Sequence, residues 1–248
     1  MANPAEGYES YMVPTLFAPC AKILIQAAGP KPDEHVLDVG CGTGIVAREI
    51  ALRLGATAAV TAVDLSANML SVARSTAARE GLTIEWREGN AEQLPFRDAT
   101  FDLVLCQFAL MFVTDKAAAL SEMRRVVTES GRVLISVWQG LDRHPFYQTL
   151  HNVIQRRLGM SALHEIFALG NADDLRGLVL GSRVSPSGNK AFFSDGTFSE
   201  SRSLYCWRNR GRYRRDSFDA APRIQSSGSN CHSDHQRYAV AVKKADIG

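Results

Sequence analysis

Between residues 16 and 138 the chain alternates short apolar runs with longer segments in which apolar residues recur every three or four positions. The short runs predict buried β-strands, and the longer segments predict amphipathic α-helices. Strands alternating with helices are typical of a parallel sheet with right-handed crossovers. We therefore expect a Rossmann-like, doubly wound α/β fold with a mostly parallel sheet. Strands are predicted at His35–Val39, Ala59–Asp64, Thr83–Arg87, Phe101–Cys106 and Arg132–Trp138, and helices at Leu16–Ala28, Ile45–Leu54, Ala67–Glu80 and Lys116–Val127.

The first predicted strand runs directly into three glycines at alternate positions, Gly40, Gly42 and Gly44. Glycine permits backbone conformations that other residues avoid, and it lets a ligand approach the main chain closely. The periodic segment that follows makes this loop the start of a helix, where free N–H groups and the helix dipole favour an anionic group. The pattern predicts a nucleotide-binding loop whose backbone amides face the ligand.

The spacing of these glycines distinguishes between classes of nucleotide. The fingerprint of nicotinamide and flavin enzymes places its third glycine three residues after the second. Ile45 occupies that position here, and the acidic Asp38 inside the motif has no counterpart in that fingerprint. A second acid, Asp64, ends the next strand, where a carboxylate accepts hydrogen bonds from ribose hydroxyls. We expect a nucleoside ligand, and a nucleotide-dependent oxidoreductase is the less favoured alternative.

Four motifs in this order resemble the class I S-adenosylmethionine (SAM) methyltransferases: LDVGCGTG, VDLS, EGNAEQLPF and FDLVLCQFAL. The likeness is to the broad bacterial group that includes the ubiquinone/menaquinone C-methyltransferases, and it covers residues 1–180. It implies the class I SAM methyltransferase fold, SAM as cofactor, and methyl transfer to a small hydrophobic metabolite. It also implies a cofactor site made of Asp38, Gly40, Cys41, Gly42, Thr43, Gly44, Asp64, Leu65, Met69, Asn90, Ala91 and Gln107.

The resemblance also gives several of these residues a role. In that family the acid matching Asp38 orients the glycine loop near the methionine moiety, and the acid matching Asp64 binds the ribose. Met69 matches a position that packs under the adenine, although its helical spacing is equally typical of a core residue. Asn90 stands where the family usually has aspartate. Its side-chain oxygen can still accept a hydrogen bond from the adenine amino group, beside the backbone amide of Ala91.

Methyl transfer from SAM requires few catalytic groups, because the methyl group of a sulfonium is already activated. The protein mainly has to align the acceptor and exclude water. A general base is needed only if the acceptor loses a proton during the attack. No catalytic residue is assigned from the sequence. The residues expected near the site are Tyr8, Tyr11, Phe17, Gln107, Phe108 and His144.

Composition narrows the range of partners. The 28 basic and 26 acidic side chains give a net charge of +2, so nothing indicates a nucleic-acid partner, and a small-molecule methyl acceptor is expected. The five cysteines are scattered without a pair or a histidine at zinc spacing, so no metal is expected. Residues 1–14 lack a signal-peptide pattern, and Lys22 interrupts the apolar stretch that follows. These features predict a soluble cytoplasmic protein without a membrane span; the sequence leaves the oligomeric state open.

The leucine-rich periodic pattern ends near Gly181, and residues 182–235 are rich in serine, arginine, glycine and asparagine. We expect no strand there, so the sheet should be incomplete on its C-terminal side apart from a terminal strand at Arg237–Lys243. Two interpretations are open, a disordered basic linker or a stretch translated out of frame. A SAM-binding protein with little or no transferase activity is the corresponding functional alternative. The predicted divisions are a helical cap at 1–34, a SAM-binding domain at 35–180, an irregular segment at 181–236 and a terminal strand at 237–248.

Overall fold

The central feature of the computed structural model is a sheet with five parallel strands in the order β3-β2-β1-β4-β5. The structure describes residues 3–55, 58–161, 163–181, 190–194, 204–208 and 238–240. The predicted Rossmann-like α/β fold is confirmed. The parallel strands are β1 His35–Val39, β2 Ala59–Asp64, β3 Glu85–Glu88, β4 Phe101–Gln107 and β5 Val127–Trp138.

Helices cover both faces of this sheet, as parallel crossovers require. One buried cluster joins the sheet to α2, α3 and α4, and a second joins the opposite face to α5 and α7. Ser66 caps the N-terminus of α4, because its hydroxyl accepts the amide of Met69 at 3.3 Å. The helices are α1 Pro4–Gly7, α2 Ala18–Ala28, α3 Ile45–Leu54, α4 Ala67–Arg79, α5 Lys116–Val126, α6 Pro145–Leu158 and α7 Ala172–Gly181.

The alternation of side chains along β1 determines where its acid lies. Val36 belongs to the cluster beneath α2, α3 and α4, whereas Leu37 belongs to the cluster on the opposite face. Because successive side chains of a strand point to opposite faces, Asp38 shares the face of Val36. There its carboxylate accepts a hydrogen bond from the amide of Ala47, in the first turn of α3. The strand thus carries a buried acid to the start of the next helix.

The edge of β5 carries strands that the sequence did not predict. β7 Leu204–Arg208 pairs antiparallel with β5, and β6 Lys190–Ser194 pairs antiparallel with β7. The expectation of no strand within residues 182–235 is therefore wrong. The apolar runs of β6 and β7 are short, and a strand is stabilised mainly by its partners, so the pairing of β7 with β5 and of β6 with β7 decides their conformation.

A further strand, β8 Tyr238–Val240, pairs antiparallel with the end of β5. It confirms the terminal strand predicted at Arg237–Lys243 over those three positions. The remainder of the predicted irregular segment lies outside the described residues. The division of the chain into domains stays a prediction.

The first helix begins earlier than the sequence predicted. It starts at Pro4 rather than Leu16, and residues Tyr8–Phe17 form a π-helical segment between α1 and α2. Its end is as predicted, because Gly29 adopts the left-handed conformation that terminates α2. Smaller differences occur elsewhere: β3 begins at Glu85, and β5 begins at Val127 directly after α5.

The stretch Pro4–Ala28 is long and apolar enough to cross a membrane by length and composition alone. The sequence analysis predicted no such span. Core helices of soluble proteins pass the same test, and the face of α2 that carries Ala21 and Leu24 is fully buried against the sheet. The contacts of α2 are those of a core helix.

Candidate functional site

Two adjoining cavities lie at the carboxyl ends of β1, β2 and β4. The larger has a volume of about 470 Å³, and the smaller has a volume of about 60 Å³. Tyr8, Gly40, Gly42 and Phe108 line both cavities, so the two share a wall. The strand order reverses between β1 and β4, and open α/β sheets bind ligands at such a switch point.

Most of the predicted site residues line one of these cavities. Thr43 and Gly44 line neither: the Thr43 carbonyl accepts a hydrogen bond from Arg48, and Gly44 packs against Trp86. The binding roles of all of them stay predictions. The larger cavity is lined by Gly40, Gly42, Asp64, Leu65, Met69, Asn90 and Ala91, and the smaller one adds Asp38, Cys41 and Gln107.

Three amides of the glycine loop donate within the protein, which corrects the prediction that they face a ligand. Those of Gly40 and Cys41 donate to the Val63 carbonyl at 2.8 and 3.1 Å, and that of Gly42 donates to Asp64 Oδ2 at 2.7 Å. The loop therefore folds back onto the end of β2. Gly42 has a φ of +55°, and a Cβ added there would meet no protein atom within 4 Å. The loop thus contributes open space beside the main chain at Gly42, and its amides at Gly40, Cys41 and Gly42 are already occupied.

Asp38 occupies the anion position at the start of α3. Its side chain is buried, and its Oδ2 accepts the Ala47 amide at 3.2 Å. The first-turn amides and the helix dipole favour an anion there, so the protein's own carboxylate fills the site that a ligand phosphate would need. Burial and, to a smaller degree, the charge of Asp64 raise the pKa of Asp38 to about 7, against the opposing Ala47 hydrogen bond. A cation in the smaller cavity would stabilise the ionised carboxylate.

The charges around the cavities are of one sign. Among the described residues that line them are three acids, Asp38, Asp64 and Glu92, and no lysine, arginine or histidine. Like charges repel strongly where water is scarce. The lining therefore favours a cationic ligand and disfavours the pyrophosphate of a nicotinamide or flavin dinucleotide.

Asp64 is held in one orientation at the end of β2. Its Oδ2 accepts the Gly42 amide at 2.7 Å, and its Oδ1 accepts the Ser66 amide at 2.8 Å. A carboxylate has about four lone-pair positions, so each oxygen can still accept one further hydrogen bond. Two adjacent, pre-oriented oxygens match the two neighbouring hydroxyls of a ribose.

An apolar surface lies beside this acid in the larger cavity. Leu65 is 70% exposed although it is apolar, and Met69 lines the cavity rather than the buried core. A flat base stacked here would remove that surface from water. On the other side, Asn90 Oδ1 accepts the Glu92 amide at 2.9 Å, which fixes the turn that carries Ala91.

The smaller cavity is lined by a side chain with a hydrogen-bond acceptor to which no described residue donates. Gln107 Nε2 donates to the Phe17 carbonyl at 3.2 Å, whereas its Oε1 is buried and has no hydrogen-bond partner among the described residues. A buried acceptor left unpaired costs about 1–3 kcal/mol. The ammonium group at the methionine end of SAM could supply a donor to Gln107 and a positive charge to Asp38. The residues present fit that cofactor.

Part of the lining of the larger cavity is apolar and includes Phe112, Val113 and Met123, and Thr114 and Glu92 also line this cavity. Phe108 forms part of the wall shared with the smaller cavity. Its φ of +50° is unusual for a bulky residue, and its ring stacks on Trp138 at 4.6 Å. Such a conformation persists only where the surrounding packing holds it, and it is common at ligand sites.

Two of the other candidate residues lie away from the cavities. Tyr11 is 77% exposed, and His144 packs in an aromatic cluster with Trp138 and Phe167. Cys41 lines the smaller cavity, but burial raises the pKa of its thiol, which disfavours a nucleophilic thiolate.

Arg48, which is buried on α3, is a residue near the site that the sequence pattern did not predict. Its guanidinium binds the Thr43 carbonyl of the glycine loop and forms ion pairs with Glu9 at 2.7 Å and Glu80 at 3.2 Å. The available signal was a charge within the apolar periodicity of α3. Its partners are distant in sequence, so the pattern could not name them.

Several known proteins are similar to part of this chain in sequence. Residues 37–135 match the family model described as a methyltransferase domain. The ubiquinone/menaquinone biosynthesis C-methyltransferase UbiE of Cupriavidus taiwanensis is 39% identical over 123 residues, which is 48% of this chain and 51% of that protein. The chain spans about half the length of the curated relatives that it matches first.

Solved structures of methyltransferases have a fold similar to that of this chain. A candidate methyltransferase from Bacillus halodurans C-125 is 27% identical with a TM-score of 0.53, over 70% of this chain and 72% of that one. A SAM-dependent methyltransferase from Aquifex aeolicus has a TM-score of 0.57 at 19% identity, over 82% of this chain and 94% of that one.

The sheet order, the glycine loop and the acid that ends β2 define the class I SAM methyltransferase architecture. Residues 37–135 match this methyltransferase-domain family, and the chain is similar there to the ubiquinone/menaquinone C-methyltransferases. The family and the fold imply SAM as the cofactor. The resemblance inferred from the four sequence motifs is therefore confirmed.

Proposed function

We propose that this protein transfers a methyl group from SAM to a small, hydrophobic metabolite. The observation that carries the proposal is the buried carboxylate of Asp38 at the start of α3, beside the unpaired Oε1 of Gln107. Together they form a cation site where a dinucleotide enzyme needs an anion site. SAM has positive charge at that end of the molecule, and a nicotinamide or flavin dinucleotide has negative charge.

Each of the two cavities would bind a different part of the cofactor. In the larger one, Asp64 would bind the ribose hydroxyls, and the adenine would lie between Leu65, Met69 and the Asn90 turn. In the smaller one, Asp38 and Gln107 would hold the amino-acid end. Bound SAM supplies a methyl group that needs no further activation, so the chain's task is to orient the acceptor and to exclude water.

The acceptor is proposed to be apolar because of three apolar residues in the lining of the larger cavity. Phe112, Val113 and Met123 offer neither charge nor a strong hydrogen bond to a polar acceptor. Burial raises the pKa of Tyr8, so its hydroxyl stays protonated and is a poor general base. An isoprenoid quinone precursor or a lipid has the required chemistry, and the UbiE relative supports the first. A cytoplasmic location is part of the proposal.

The proposal is tested by binding and turnover measured on the same preparation. Calorimetry should show SAM binding to the full chain and no binding of NADH or FAD. Transfer of a labelled methyl group from SAM should then be measured across acceptors graded from apolar quinone precursors and lipids to polar catechols. Binding of NADH without SAM would overturn the proposal.

A second outcome of this experiment would support the alternative function. SAM binding without transfer to any acceptor supports the alternative, a SAM-binding protein with little or no transferase activity. Asp64→Ala is the matched control, because transfer that persists when SAM no longer binds does not come from this site.

A further inference from the structure

The N-terminal segment forms one wall of the candidate cofactor site. Tyr8 lines both cavities, and Phe17 lines the smaller one. The Tyr8 ring stacks on the Phe17 ring with centroids 5.0 Å apart. The centroids of the Phe17 and Phe108 rings are 6.0 Å apart. A ligand that spans the two cavities therefore passes beside Tyr8. This wall comes from the π-helical segment, outside the sheet and its crossovers, and π-helical turns are frequent at functional sites.

A buried arginine connects this wall to the glycine loop. The Arg48 side chain is 4% exposed, and its Nη2 lies 2.7 Å from Glu9 Oε1, next to Tyr8 in sequence. The same guanidinium binds the Thr43 carbonyl and lies 3.2 Å from Glu80 Oε2. One side chain thus joins the π-helical segment, the glycine loop and the end of α4.

Stability alone does not account for this arrangement. A buried ion pair is often no more stabilising than apolar residues of the same volume. Glu9 Oε2 is also buried without a hydrogen-bond partner among the described residues, so half of its carboxylate is uncompensated. The ion pair instead ties Glu9 of the π-helical segment to α3 and so gives that segment one defined position. The residue placed by it is Tyr8.

We propose that the Arg48–Glu9 ion pair is a latch that holds Tyr8 against bound SAM, which makes Tyr8 a cofactor-contacting residue and Arg48 and Glu9 positioning residues. The inference rests on the proposed function. In the latched state the Tyr8 ring covers the junction of the two cavities, and its hydroxyl remains protonated because burial raises its pKa. When the latch is broken, the segment opens and the apparent affinity falls in proportion to the closed fraction.

The test is a double-mutant cycle on SAM affinity in the full chain. Glu9→Gln removes the charge but keeps the side-chain shape, and Tyr8→Ala removes the residue that it is proposed to position. We expect Glu9→Gln to weaken SAM binding about tenfold, as when the closed fraction falls to about one tenth. In the Tyr8→Ala background the same change should have no further effect. Glu6→Gln, at an exposed acid in α1, is the matched control and should bind SAM as the wild type does.

Hydrogen exchange provides a readout that a merely structural role would not change. SAM should slow the exchange of the Tyr8–Phe17 amides in the wild type and much less in Glu9→Gln, with both proteins folded by circular dichroism. If Glu9→Gln is too unstable, Arg48→Lys retains the charge, loses the forked contact and should show the same loss of protection.

The outcomes separate the inference from the proposed function. Equal weakening by Glu9→Gln with and without Tyr8, or unchanged affinity and protection, overturns the latch while leaving SAM binding intact. Failure of the wild type to bind SAM instead overturns the proposed function.

Discussion

Replacing Asp38 with asparagine should weaken SAM binding and stabilise the free protein. The carboxylate is buried beside no described cation, and its pKa is raised from 3.8 to about 7. At about 1.4 kcal/mol per pKa unit, holding it ionised in the folded protein costs up to about 4 kcal/mol. Asparagine can still accept the Ala47 amide but carries no charge. A cationic cofactor would supply the compensation that the free protein lacks.

The sign of the pH dependence follows from the raised pKa. An acid with a raised folded-state pKa carries no penalty below its unfolded value, and the penalty grows as pH rises through the folded value. The free energy of unfolding of Asp38→Asn, measured in urea, should therefore exceed that of the wild type at pH 8 and match it near pH 4. If SAM binds the ionised form, as proposed, wild-type affinity should rise about tenfold between pH 6 and pH 8.

Calorimetric SAM titrations at pH 6, 7 and 8 test this coupling. The amino group of SAM titrates equally in both experiments, so the difference between wild type and Asp38→Asn isolates the Asp38 contribution. Asp33→Asn, at an exposed acid, is the control and should behave as the wild type. Identical pH profiles for wild type and Asp38→Asn would refute the reasoning, as would an Asp38→Asn protein that binds SAM normally.

Four further changes have defined outcomes. Asp64→Ala removes a charged, two-point contact of about 2–4 kcal/mol and should weaken SAM binding about 30- to 1,000-fold by calorimetry, an assignment lost if affinity is unchanged. Gly42→Val places a branched side chain in the cavity and should abolish SAM binding, whereas Gly159→Val bears similar backbone strain away from both cavities and should not. Arg132→Met leaves Glu34 and the Ala28 carbonyl without their buried partner and should cost about 3–5 kcal/mol in urea unfolding, with SAM affinity of the folded protein unchanged. If residues 182–235 are out of frame, shifting the coding sequence by one base should give a leucine-rich periodic segment; stop codons or patternless sequence in both other frames would reject that interpretation.

The sequence predicted those parts of the site that depend on local pattern. The apolar runs of β1 and β2 are enough to place Asp38 and Asp64 on neighbouring strands, and these two strands pair in the sheet. The positive φ of Gly42 also agrees with the local pattern, because the alternating glycines by themselves indicate a tight turn.

The remainder depends on contacts between distant residues. The loop amides of Gly40 and Cys41 are occupied by Val63, which no local pattern specifies. Arg48 and Glu9 are 39 positions apart in the sequence. The role of Arg48 therefore follows from packing rather than from helix periodicity. β6 and β7 are short runs that depend on pairing: β7 forms on the edge of β5, and β6 forms on β7.

The lining of the two cavities has an evolutionary consequence. Every described residue that borders them lies between Tyr8 and Met123. Recombination, insertion or replacement beyond β5 can therefore exchange the rest of the chain without touching a side chain that borders either cavity. A protein built in this way can acquire new surfaces and new partners while it inherits both cavities unchanged.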